Sequence, residues 1–176
     1  MKTNIALICL LPNYSRNVSK LLSDKLDMFY VNVEEMVEFE LGDLEHIIKI
    51  LGDRDGRKFI RDEETKIIKN ISNFENTIIS INALTMFSNR NFEKLSKTSY
   101  IVYLQIAPKF FQIRAQESGD DISESMLNIA FTERDKMYVD SSDMVVNCSN
   151  LKPNKAVKKV VSNINSFFKK ISKSKK

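Results

Sequence analysis

The chain has 176 residues, 43% hydrophobic and 28% charged, with two cysteines and one histidine. These values suit one globular domain, and no apolar run approaches the roughly 18 residues that a membrane span needs. The net charge of +4 is uneven, since residues 1–143 carry 18 Lys+Arg against 23 Asp+Glu and every charge after Asp143 is a lysine; an acidic body with a basic end is not the footprint of a nucleic-acid-binding domain.

In chain order, Asn4–Leu11 is continuously apolar and reads as a strand covered on both faces. Its apolar run ends at Pro12 without a small-residue cleavage site, so a buried strand explains it better than a signal peptide, and a cytoplasmic protein is expected. A turn and an amphipathic helix over Ser15–Leu26 follow. Met28–Val31, Thr77–Ile81, Tyr100–Leu104 and Met144–Asn147 are further strand signals. Between them lie helical patterns over Glu34–Leu51 (broken at Gly42), Arg57–Ser72, Asn89–Lys97, Pro108–Glu117 and Ile122–Asp140. A last helix is expected from Pro153 to about Ile171. Strand and helix in alternation predict an α/β fold with a parallel sheet. The expected division is a single domain over 1–172 and a basic tail over 173–176.

The opening strand, turn and helix form a unit that commonly binds phosphate. A phosphate-gripping turn needs glycines, so that backbone N–H groups can converge, and a lysine. The stretch Cys9–Arg16 has neither. Cys9 and Cys148 sit in apolar runs and are expected to be buried free thiols. His46 is expected on a helix surface, and no Cys or His spacing suggests a metal site. Ligands of such a sheet bind beyond the carboxyl ends of its strands. That directs attention to PNYSR after the first strand, Asn32-Val33-Glu34 after the second and Asn82-Ala83-Leu84 after the third.

At these positions the chain resembles shikimate kinase. NIALI resembles the first strand of that family, and MFYVNVEEMVE its second strand with the acidic Asp-x-Asp motif. FIRDEETKII resembles the Phe-Arg-(Asp/Glu)-x-Glu segment, and TIISINALTM the strand ending in a Gly-Gly-Gly turn. SYIVYLQIAP resembles the fourth strand, and ERDKMYVDSSDMVV the run into the fifth. The resemblance implies a three-layer fold with five parallel strands in the order 2-3-1-4-5, which would set Cys9 and Cys148 about 10 Å apart, too far for a disulfide.

The departures fall on chemistry. Over the Walker A loop, Cys9 replaces the first glycine, Tyr14 the second, Ser15 the lysine and Arg16 the hydroxyl that holds magnesium, with Pro12 and Asn13 between them. Asn32 replaces the magnesium-supporting aspartate, and a neutral amide is a poorer ligand for a hard cation. Glu34 replaces the aspartate that binds a shikimate hydroxyl. Asn82, Ala83 and Leu84 replace the glycine turn. The lid stretch ESGDDISES, residues 117–125, lacks the family's arginine and is acidic. Arg61 and Arg134 match the pair that binds the shikimate carboxylate; the alternative is that each pairs with neighbouring acids. Tyr138 is expected to be a packing residue and Arg114 a helix-surface one.

The expectation is a non-catalytic relative of shikimate kinase that has lost ATP and magnesium, needs no cofactor or metal, and keeps weak binding of a small carboxylic acid. One alternative is an active shikimate kinase using MgATP, with Arg16 or Lys20 on phosphate. Another is an interaction module whose basic C-terminal helix docks an acidic partner, such as a protein, or RNA. Neither a membrane nor nucleic acid is expected as a partner.

Overall fold

A computed structural model describes residues 2–82 and 88–174. Five strands form one parallel sheet: β1 (Asn4–Cys9), β2 (Phe29–Asn32), β3 (Thr77–Asn82), β4 (Ser99–Gln105) and β5 (Met144–Asn147). Their order is β2-β3-β1-β4-β5, as the resemblance implied. The helices are α1 (Pro12–Leu26), α2 (Val33–Leu41), α3 (Leu44–Leu51), α4 (Asp53–Ile71), α5 (Asn89–Thr98), α6 (Phe111–Ser118), α7 (Glu124–Ser141) and α8 (Pro153–Ser174), with a 3-10 turn at Pro108–Phe110.

The continuous apolar runs belong to the middle of the sheet. All six residues of β1 are buried, and it pairs with β3 on one side and β4 on the other. Ile8, for example, faces Ile81 and Tyr103 and is fully buried. Burial of such a side chain contributes about 1.5–3 kcal/mol. A buried polar residue ties the same strand down. Asn4 donates from Nδ2 to the Phe74 carbonyl at 2.7 Å and accepts the Thr77 amide at 3.0 Å, which sets the entry to β3.

Several element bounds differ from those expected. Gly42 and Gly52 both have positive φ and separate α2, α3 and α4; the break expected at Gly42 is present, whereas α4 begins at Asp53 rather than Arg57. Gly56 lies where α4 meets α3, and a Cβ there would sit 2.7 Å from the Ile48 Cα. The helix expected from Pro108 is a 3-10 turn followed by α6. The last helix runs on through Ser174. The largest consequence lies at α1, which begins at Pro12 rather than Ser15. Proline at a first helical position is favourable, and Leu10 and Leu11 ahead of it are buried. The connection from β1 to α1 is therefore only Leu10-Leu11.

Cys9 and Cys148 are buried free thiols, and β4 separates the strands that lead to them. Burial pushes the Cys9 thiol far up and the Cys148 thiol up to about 11, so both are protonated near neutral pH.

Candidate functional site

The carboxyl ends of β1, β2 and β3 converge with the amino termini of α1 and α2, where ligands of open parallel sheets bind. The amino end of α1 is the place to begin. The first amides of a helix have no partner within it. Pro12 has no N–H, and the Ser15 amide donates to the Leu11 carbonyl at 3.0 Å. The two remaining amides are those of Asn13 and Tyr14. Both donate to one carboxylate, that of Asp120: Asn13 N to Oδ1 at 2.8 Å and Tyr14 N to Oδ2 at 3.3 Å. The Asn13 side-chain amide donates to the Gly119 carbonyl at 2.8 Å, and the Ser118 hydroxyl donates to Asp120 Oδ2 at 2.6 Å.

Tyr14 and Ser15 point into the fold. Tyr14 is 1% exposed and its hydroxyl donates to the Leu151 carbonyl at 2.6 Å, in the loop between β5 and α8. Desolvation raises its pKa well above the ordinary tyrosine value, so it stays a neutral donor. Ser15 is buried against β3, with Ser80 Oγ 3.4 Å from its hydroxyl. Arg16 turns towards α2, where its Nε lies 3.1 Å from Glu35 Oε1 and its Nη2 3.9 Å from Glu34 Oε2. Lys20 joins Glu35 at 3.7 Å. Asn32 is buried and caps α2, its Oδ1 accepting the Glu35 amide at 3.0 Å. Among the described residues, no cluster of three His, Cys, Asp or Glu is placed to hold a metal ion.

A cavity of about 790 Å³ opens beside this region. Glu34, Arg61 and Arg134 all line it, so α2, α4 and α7 bring the three expected ligand-binding residues to one cavity. Arg57 joins them, held by Asp53 at 2.8 Å. The sequence contained a signal for Arg57: it precedes Arg61 by four positions, which places both on one face of a helix. Asp62 and Glu64 line the cavity too, so it is lined by both guanidinium and carboxylate groups.

Two neighbours suggested for these arginines are engaged elsewhere. Asp135 accepts from the Tyr103 hydroxyl and from Gln105 Nε2, both at 2.9 Å. Glu63 pairs with Lys66 at 2.7 Å. Asn82 ends β3, while Ala83 and Leu84 lie outside the described residues.

Tyr138 is fully buried against Tyr103, as expected of a packing residue, and His46 is exposed. Arg114, by contrast, is not on the surface. It is 8% exposed on α6 and pairs with Glu117 at 2.8 Å. A lone arginine in a helical segment gave no sign of that, because its burial depends on the packing of α6 against other elements, α1 among them. Asp120 was legible only as part of an acidic lid. Its hydrogen bonds span 106 and 107 positions, beyond any local pattern. Lys155, Lys158, Lys159, Lys169 and Lys170 of α8 are exposed; Lys159 donates to the Asn147 carbonyl, and Lys152, just ahead of the helix, lies 3.8 Å from Glu117.

A family model described as "Shikimate kinase" matches residues 16–165. The chain belongs to the shikimate kinase family. A shikimate kinase from Dehalococcoides mccartyi is 27% identical over 156 residues, covering 85% of this chain and 86% of that protein. One from Caldicellulosiruptor bescii is 25% identical over 170 residues, covering 90% and 94%. Among solved structures, the shikimate kinase of Acinetobacter baumannii in complex with shikimate superposes with a TM-score of 0.79 at 16% identity, covering 94% of each chain. That of Aquifex aeolicus gives 0.75 at 22%, covering 93% of this chain and 96% of that one. The fold of this chain is therefore the shikimate kinase fold. Among the described residues, no helix is long and apolar enough to cross a membrane.

Proposed function

We propose that this chain is a shikimate kinase relative that has given up MgATP and keeps a pocket for a small hydroxylated carboxylic acid. The observation that carries the first half is the two-residue connection between β1 and α1, with Tyr14 sealed into the fold behind it. A triphosphate needs a wrapping loop whose amides converge on it, a lysine beside it and a metal ligand. Leu10-Leu11 is too short to wrap an anion. Ser15 is buried where the lysine would stand, and Asn32 spends its oxygen on the cap of α2. These residues do not fit the nucleotide or its metal, which leaves phosphoryl transfer without its apparatus.

The second half rests on Glu34, Arg61 and Arg134 around one cavity. A guanidinium fork suits a carboxylate, and carboxylate oxygens accept from hydroxyls. The mixed lining therefore favours a ligand with both groups over a simple anion. The solved relative that holds shikimate supports that class of ligand. The reading extends to a single unit over 1–172 with a short basic tail at 173–176, working in the cytoplasm.

Calorimetry tests it. Shikimate should bind and MgATP should not, and ADP release in the presence of shikimate should stay at background. Micromolar MgATP affinity would overturn the reading. The competing view, an active shikimate kinase, is favoured by the names of the relatives. It requires turnover within the usual range of about 1–100 per second for kinases, lost on Arg16→Ala.

A further inference from the structure

A helix amino terminus carries a partial positive charge and attracts an anion. Here the anion is part of the chain. The residue ahead of α1, Leu11, offers no side-chain cap. Every N–H that α1 would leave open is taken by Asp120, which arrives from the far side of α6. The carboxylate is oriented as well as bound. Ser118 donates to it, the Asp120 amide donates back to the Ala115 carbonyl at 2.9 Å, and Gly119 takes the left-handed conformation, φ 74°, that turns the segment round. Asn13 completes the joint from the other side by donating to the Gly119 carbonyl. The buried Arg114 stands on α6, its Nη1 paired with Glu117 at 2.8 Å and its Nε lacking an acceptor.

We propose that Asp120 is the built-in ligand of the anion site at the start of α1, a carboxylate that replaces phosphate and fastens segment 118–120 to the opening of the fold. It explains why an acidic stretch stands where the family carries an arginine-bearing lid. A carboxylate there supplies the acceptor that the helix start requires. The site is occupied in cis, at an effective concentration that a dissolved anion does not match. The proposal extends the reading that nucleotide binding is lost, and rests on it only in that free phosphate does not compete.

Amide hydrogen exchange on the full chain, read by NMR, tests it. In Asp120→Asn, which keeps the size and removes the charge, the Asn13 and Tyr14 amides should exchange at least about tenfold faster. The amides of β1 should keep their protection. Inorganic phosphate should slow Asn13 and Tyr14 exchange in that variant and leave these amides unmoved in the wild type. Ser118→Ala provides a second, milder case if Asp120→Asn does not fold, with a smaller increase confined to the same two amides. Exchange equal to wild type in the folded variants would overturn the proposal. So would phosphate-induced shifts of Asn13 and Tyr14 in the wild type, or an Asp120→Asn protein indifferent to phosphate. The two proposals fail separately: ADP release with shikimate sinks the functional reading, whereas exchange independent of Asp120 sinks this one.

Discussion

Tyr14 and Leu151 are joined across 137 positions by a 2.6 Å hydrogen bond from the phenol to the backbone carbonyl. The bond closes the fold between the start of α1 and the loop ahead of α8. It also gives the bulky ring of Tyr14 a structural purpose.

Tyr14→Phe should lower stability by about 1–2 kcal/mol, because the Leu151 carbonyl loses its donor inside the protein. Tyr14→Gly should cost more, about 3–5 kcal/mol, through the cavity left by a 1%-exposed ring. Urea denaturation measures both. Equal costs for the two variants would show that the ring contributes nothing by packing.

Asn32→Ala should destabilise by about 1 kcal/mol, since its side chain caps α2. Asn32→Asp should leave stability nearly unchanged, because aspartate is an equally good cap. Magnesium should not raise the melting temperature of Asn32→Asp. A magnesium-dependent rise there would mean that the remainder of a metal site survives.

The thiols make stability depend on alkaline pH. Cys148 keeps its proton up to about 11 in the folded state, against an ordinary value of 9.0. Above pH 9 the unfolded chain therefore binds fewer protons than the folded one, and stability falls as pH rises, by up to about 1.4 kcal/mol per pH unit for each such group. Cys9, also raised, adds to the same slope. Denaturation midpoints should hold between pH 7 and about 8.5 and then decline towards 11, with a shallower decline in Cys148→Ser. A flat profile to pH 11 would refute the burial of both thiols.

Gly56→Ala should destabilise by about 1–3 kcal/mol through overpacking, as its Cβ would press on the backbone at Ile48. Ile48 also lines the cavity, so shikimate affinity should fall in the same variant. Unchanged stability would mean that α3 shifts freely relative to α4.

In the cavity, Arg61→Lys and Arg134→Lys should each weaken shikimate binding by about tenfold, since an ammonium does not reproduce a bidentate fork. Calorimetry with the two variants measures this. Full affinity in both would assign these arginines to structure alone.

The nature of the strands was legible in the chain, and their order came through the resemblance to shikimate kinase. NIALIC, TIISIN and SYIVYLQ are apolar on successive residues because both faces of the central strands are covered, and that requirement leaves its mark residue by residue. Glu34, Arg61 and Arg134 were legible through their surroundings, and the cavity brings them together. The missing glycines and lysine after β1 were visible as identities alone.

What stands in their place was decided in three dimensions. No local pattern pairs Asn13 with Asp120, Tyr14 with Leu151 or Arg16 with Glu35, because each partner is brought in by the packing of a separate element. Hydrophobic periodicity is a property of neighbours along the chain, and it carries the fold. A polar contact between residues more than a hundred positions apart depends on how the helices close over the sheet, and only that closure shows that a carboxylate of the chain itself sits at the mouth of α1.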